Sequence, residues 1–412
     1  MSKFVTFSPI ALPNGQTLKN RFVKAAMEEG MSEQHLVPGA KLQKLYSVWA
    51  QGGAGLLITG NIMIDRHAMT GPGGVVLEKE TELSPFVKLV EGIKHHDCKV
   101  WAQINHPGRQ VYRSMGGKVY SPSNVALNLG KHSDMFGQPS AMTEEQIQEV
   151  INRFVDTAVQ AEKAGFDGVQ IHAAHGYLLA QFLSPLVNKR QDQWGGNLTN
   201  RSRLLRDVIR SVKASVHSDF AVAVKLNSAD FQRGGFTFDE AVEVVKMLEQ
   251  LKVDLVELSG GSYEAPAMQG VTADGSTLER EAYFLKFAKQ IASTSTIPVM
   301  TTGGIRNLAV AENVVNSGVD LVGIATALAY EPNLINIWRN VPEYSALLPS
   351  VTWRNKTLRG MVIMMLVRRN LMRLGGDKKP SVKLSPLFTL ASDLIKMKSK
   401  VKNYKRKILE ME

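Results

Sequence analysis

The 412-residue chain has a single cysteine, Cys98. Disulfides within the chain, thiolate zinc sites and iron–sulfur clusters are therefore excluded, and a reducing compartment is the simple inference. No stretch reaches the roughly 20 apolar residues that a membrane span needs, and the opening MSKFVTFSPIALPNG lacks the apolar core of a signal peptide. A soluble, cytoplasmic protein is the expectation. Net charge is also scarce over most of the chain. Residues 351–412 hold 16 Lys and Arg against 4 Asp and Glu, so the tail carries +12 of a net +11 and the body sums to −1. A near-neutral body with a basic tail argues against a nucleic-acid-binding surface.

What is present is a repeated alternation. Short β-branched runs at Phe22 to Ala25, Leu56 to Thr59, Val100 to Ile104, Gly168 to His172, Ala221 to Leu226, Leu255 to Ser259, Val299 to Thr302 and Leu321 to Ile324 read as strands. Amphipathic helical patterns separate most of them. Thr143 with Gln146 opens one helix as a capping box, and Gly165 fits the left-handed position that ends it. Eight apolar strands covered by helices predict a closed parallel (β/α)8 barrel, a TIM-barrel fold, over residues 1–343, with a basic helical extension over 344–412. The segment from His106 to Met142 is a long excursion rich in Gly, Ser, Asn and Pro, of the kind that shapes active sites.

In such barrels the reacting groups gather at the carboxyl ends of the strands. His172 and His175 lie three residues apart on the turn leaving the fourth strand and can aim both rings at one oxygen, with Tyr177 near enough to deliver a proton to the adjacent carbon. A zinc pair without an obvious third ligand and two satisfied structural histidines are the competing readings. Lys225 ends the apolar strand AVAVKL, where it is either a fixed cation in the mouth or the partner of a rim carboxylate. Gly303 and Gly304, with Arg306 close by and the turn at Ala325-Thr326, occupy the common phosphate corner of these barrels, although a Gly-Gly pair also simply makes a tight turn.

The strings LKNRFVKAAM, WAQINHPGRQ, GFDGVQIHAAHGYLLAQFLSPLVNKRQDQWGG and TTGGIRN resemble the Old Yellow Enzyme family of FMN-dependent NAD(P)H oxidoreductases, in order and spacing, over roughly residues 5 to 340. The resemblance implies FMN as cofactor and NADH or NADPH as hydride donor. Ala25, Ala26 and Met27 would line the flavin edge, Asn61 would sit beside its ring, and Gln103 and Lys225 would bind its pyrimidine end. Gly303, Gly304 and Arg306 would hold the phosphate, His172 and His175 the substrate oxygen, and Tyr177 would donate the proton. It further implies ping-pong transfer of hydride from flavin N5 to the β-carbon of an activated alkene, a carbonyl or nitro compound, or to a quinone.

Two departures stand out. Glu28 follows the strand-one methionine where many members carry Thr or Cys, and Ala325-Thr326 replaces a Gly-Arg pair, removing a charged donor worth about 1.5–3 kcal/mol. A related branch adds an iron–sulfur site and a second flavin domain and acts on dienoyl-CoA esters or amines. The single cysteine and short carboxyl region argue against it here. Two other functions compete. One is an FMN barrel that reduces uridine in RNA, which needs a cysteine acid where Cys98 does not lie; the other is a non-catalytic scaffold recruited to membranes. The run TLRGMVIMMLVRRNLMRL is too short to span a bilayer, so it either lies on a membrane surface or caps the barrel or a partner subunit, a homo-oligomer being left open.

Overall fold

A computed structural model describes residues 4–270, 273–274, 281–354 and 356–411. Eight parallel strands run in chain order: β1 (Phe22–Lys24), β2 (Leu56–Ile58), β3 (Lys99–Asn105), β4 (Gly168–Ala173), β5 (Ala221–Asn227), β6 (Leu255–Ser259), β7 (Val299–Thr301) and β8 (Leu321–Ile324). Each pairs with the next, and β8 pairs back onto β1 through Val322 with Phe22 and Ile324 with Lys24, so the sheet closes. This is the expected TIM barrel. An amino-terminal hairpin, Ile10–Ala11 with Thr17–Leu18, precedes it.

Outside the strands lie α1 (Ala40–Gln51), α2 (Ser84–Lys94), α3 (Glu144–Lys163), α4 (Arg203–Ser215), α5 (Phe238–Gln250), α6 (Leu285–Ala292), α7 (Leu308–Asn316) and α8 (Leu334–Asn340). Their starts are written in the sequence. Thr143 and Gln146 exchange side-chain and backbone bonds as a full capping box on α3, Thr237 and Glu240 do the same on α5, and Gly165 sits at φ +88° just past α3. Outward strand residues such as Val169, Ile171, Val222 and Val224 pack against the helices as the main core. Inward residues, among them Ala25, Trp101, Ala221, Ala223, Leu255 and Met300, fill the lower barrel as a second one.

After the barrel come α9 (Lys356–Leu374) and α10 (Pro386–Met411). Val367, Leu371 and Leu374 of α9 join the main core, so the apolar run at its centre is used for packing. The lysine-rich far end of α10 is not merely solvated. Tyr404 and Ile408 are buried with Leu36, Met69 and Met115 on the loops at the carboxyl ends of the strands, and the Tyr404 hydroxyl donates to the Arg66 carbonyl at 2.6 Å. No helix among the described residues is long and apolar enough to cross a membrane.

Candidate active site

Side chains alternate along a strand, so Gln103 of β3, Gln170 of β4, Lys225 of β5 and Glu257 of β6 all point into the barrel, one layer above the apolar plug. They form a line of bonds. Gln103 Nε2 donates to Gln170 Oε1 at 2.7 Å, Gln170 Nε2 to Glu257 Oε2 at 2.8 Å, and Lys225 Nζ to Glu257 Oε1 at 2.7 Å. Both ions are buried. Lys225 is thus the partner of a carboxylate rather than a lone cation, the second of the two readings its position allowed.

Above this layer, His172 closes β4 and the chain turns through two left-handed residues, His175 at φ +59° and Gly176 at φ +73°. A side chain at 176 would be strained by that backbone, and its Cβ would stand 2.8 Å from Ser262 Cβ. The turn brings the predicted trio together, with His172 and His175 ring centroids 5.0 Å apart and His172 and Tyr177 4.9 Å apart. The Ala174 N–H donates to His172 Nδ1 at 3.2 Å, which leaves the ring proton on Nε2. His175 is fixed by its own N–H to Asn227 Oδ1 at 3.0 Å and by Nε2 against Ser259 Oγ at 2.7 Å.

Burial sets the charge state of all three groups. It drives both imidazoles well below their ordinary pKa, helped for His172 by His175 and then Lys225 and for His175 by Lys225, so both rings are neutral at pH 7. Burial, with the Glu28 carboxylate adding to it, pushes the Tyr177 phenol up, so it keeps its proton. That phenol lies 3.2 Å from the Tyr263 hydroxyl and bonds the Asn61 side chain. Among the described residues no third His, Cys, Asp or Glu joins the two histidines in a metal-ligating group.

The remaining predicted residues fall into two places. Ala25 closes onto β8 through its N–H to the Ile324 carbonyl at 2.9 Å, with Ala26 and Ala325 packed on the same inner cluster, while Met27 packs against the outer core. Glu28 accepts a bond from Thr70 Oγ1 at 2.8 Å. At the second place, Gly303 (φ +118°) and Gly304 (φ +73°) pass so close to Tyr283 that a Cβ on either would meet it at 2.8 Å. Arg306 is already engaged there. Its Nε meets Glu281 Oε1 at 3.0 Å, its N–H donates to Oε2 at 3.3 Å, and Asn307 Nδ2 reaches Oε2 at 2.9 Å, so a carboxylate fills an anion cradle at that turn. Thr326 opens the short helix Thr326–Tyr330.

Several residues at the mouth escaped the sequence reading. Glu257 was legible as a lone acid in the apolar strand LVELS, inward with Leu255 and Ser259. Tyr263 and the Tyr112–Phe136 stack, 4.8 Å between centroids, gave no local signal. Nor did Arg368 of α9, which lies within electrostatic reach of the Tyr112 phenol and keeps its Nε buried without a hydrogen bond to any described residue. Cys98 sits before β3 at the opposite end of the barrel, where burial pushes its thiol up to about 12. That placement leaves it no part in chemistry at the rim.

The mouth also holds buried polar atoms without partners among the described residues, namely Asn61 Oδ1 and both amide atoms of Asn105 at the inward tip of β3. Unsatisfied groups of this kind are costly unless something polar meets them, and a flat heterocycle rich in carbonyl and ring-nitrogen atoms fits them. A closed parallel barrel, neutral imidazoles, a protonated phenol and a rim of amide atoms unpaired among the described residues fit a flavin-dependent barrel oxidoreductase.

Residues 6–340 match the model of the NADH:flavin oxidoreductase / NADH oxidase family. An NADH-dependent flavin oxidoreductase of Hypocrea jecorina is 34% identical over 348 residues, covering 79% of this chain and 86% of that protein. An NADPH dehydrogenase of Halalkalibacterium halodurans is 32% identical over 77% of this chain and 89% of its own length. The Old Yellow Enzyme homologue from Zymomonas mobilis shares the fold with a TM-score of 0.70 at 24% identity, covering 83% of this chain and 94% of that one. The chain belongs to the NADH:flavin oxidoreductase / NADH oxidase family, the Old Yellow Enzyme family, and is an NAD(P)H:flavin oxidoreductase that uses FMN.

Proposed function

We propose that the enzyme reduces the carbon–carbon double bond of α,β-unsaturated carbonyl or nitro compounds, and quinones, with His172, His175 and Tyr177 as the substrate-facing groups. Bound FMN supplies hydride at N5, taken from NADH or NADPH. His172 offers Nε2–H to the carbonyl or nitro oxygen, and the His175 ring, pinned by Ser259 while Asn227 holds its backbone N–H, stands steeply inclined beside it. Two neutral donors polarise the alkene without bringing a second positive charge next to Lys225, and one such preorganised donor is worth about 2.7–4 kcal/mol. Tyr177 gives its proton to the α-carbon while hydride adds at the β-carbon, a general-acid step worth roughly 10²–10⁴-fold. Tyr263, 3.2 Å away, can return a proton to it.

Ala25, Ala26, Met27, Asn61, Gln103 and Lys225 are proposed to hold the flavin ring, and Gly303, Gly304, Arg306, Ala325 and Thr326 its phosphate end. At the phosphate end, Arg306 must exchange the Glu281 carboxylate for the phosphate or share its donors with both. The observation that carries the reading is the convergence of two neutral imidazoles and a protonated phenol at one mouth. Anaerobic bleaching by NADH or NADPH, followed by reoxidation with a panel of enones, nitroalkenes and quinones, tests it. Stoichiometric saturated product supports it; reoxidation by dioxygen alone refutes it.

A further inference from the structure

Most of the apolar run of α9 is spent on packing, with Val362, Leu366 and Val367 buried and Met364 exposed, and α10 leaves a larger apolar surface bare. Leu387, Phe388, Leu394 and Ile395 are 70%, 60%, 58% and 76% exposed. Leu387, Leu394 and Ile395 stand seven and eight residues apart and so share one helical face, continued by Lys398. This face is not a frayed end. The Arg369 guanidinium donates to Thr389 Oγ1 at 2.9 Å and lies 4.8 Å from the Phe388 ring, and Leu384 and Leu390 pack with Val362 and Leu366 of α9. Further along the same helix, Tyr404 anchors to the loops of the barrel mouth.

The charge beside the stripe selects the occupant. Residues 383–407 hold eight Lys and Arg against one Asp. A second copy docked on the stripe would press two such surfaces together, and a nucleic acid has no use for four exposed aliphatic and aromatic side chains. An anionic lipid surface satisfies both halves, taking the apolar stripe into the headgroup boundary and pairing with the lysines. We infer that the α10 face around Leu394 and Ile395 docks the enzyme on anionic membrane surfaces. The inference is independent of the alkene chemistry.

Flotation of the full-length holoenzyme with phosphatidylcholine vesicles, with and without phosphatidylglycerol, tests it. Binding is expected only with phosphatidylglycerol, falling as salt rises. Each of Lys396→Gln and Lys398→Gln should weaken it about five-fold. The double change Leu394→Glu/Ile395→Glu should weaken it more than ten-fold with melting temperature and flavin content unchanged, since those side chains face solvent. Three outcomes overturn the inference: no vesicle binding, equal binding to neutral vesicles, or a dimer in sedimentation that the double change converts to monomer without any lipid dependence.

Discussion

Replacing Glu257 with Gln leaves the shape of the inner layer and the acceptor for Gln170 in place, but strips Lys225 of its counter-ion. At an effective dielectric of about 20, unit charges 2.7 Å apart attract by about 6 kcal/mol, most of which only offsets the desolvation of two ions buried in the barrel. The pair as a whole is therefore worth little over an apolar pair of similar volume. Breaking it is expensive, because stranding one buried ion costs about 3–5 kcal/mol. With an unfolding entropy of about 0.9 kcal/mol/K for a chain of this size, Glu257→Gln should lower the melting temperature by about 3–6 °C, read by near-ultraviolet circular dichroism. The double variant Lys225→Met/Glu257→Met should recover most of that loss. In the flavin-loaded protein the uncompensated cation should shift the flavin potential to a more positive value. A single variant that melts within about 1 °C of the parent would show that Lys225 is not held by Glu257.

Other expectations follow from the same geometry. Gly176→Ala forces a Cβ onto a left-handed backbone against Ser262, at about 1–2 kcal/mol for the conformation alone; turnover should fall roughly 100-fold, as a displacement of about 1 Å at a site costs, with flavin content intact. His172, His175 and His106 are all held below the ordinary histidine pKa by burial, His106 at about 4. Their folded-state values lie below the unfolded one, so their contribution is complete above about pH 6.5 and is lost as pH falls. By pH 5.5 each should cost about 1.4 kcal/mol, and the melting temperature should drop by about 4–5 °C for the three together; His106→Asn should remove about a third of that dependence. Cys98, buried with its thiol pushed up, should react with a disulfide reagent at pH 8 only on unfolding; rapid reaction of the native protein would refute its placement.

The barrel was legible because strand, cap and turn signals are local. The eight runs agree with the observed strands to within a residue or so at each end, and the capping box at Thr143 and the left-handed Gly165 stand where the residue types put them. The convergence of His172, His175 and Tyr177 was legible for the same reason, as one turn of six residues. What stayed hidden depends on contacts between distant segments. Lys225 lies 32 residues from Glu257, and Arg306 lies 25 from Glu281. Nothing in either neighbourhood shows which of two possible partners a cation takes. The extension was read from composition, which left the run TLRGMVIMMLVRRNLMRL either on a membrane surface or capping the barrel or a partner subunit. Tertiary packing buries Val362, Leu366 and Val367 of that run and leaves the less conspicuous stripe of α10 in solvent.

Tyr177 is proposed to donate the proton that completes alkene reduction at a mouth whose imidazoles hold the oxygen. Stopped-flow measurement of the two half-reactions in Tyr177→Phe tests it most directly. Flavin reduction by NADH or NADPH should proceed within about two-fold of the parent rate, while reoxidation by an enone should slow roughly 10²–10⁴-fold, as loss of a general acid does. Equal slowing of both steps, or of neither, would contradict the assignment.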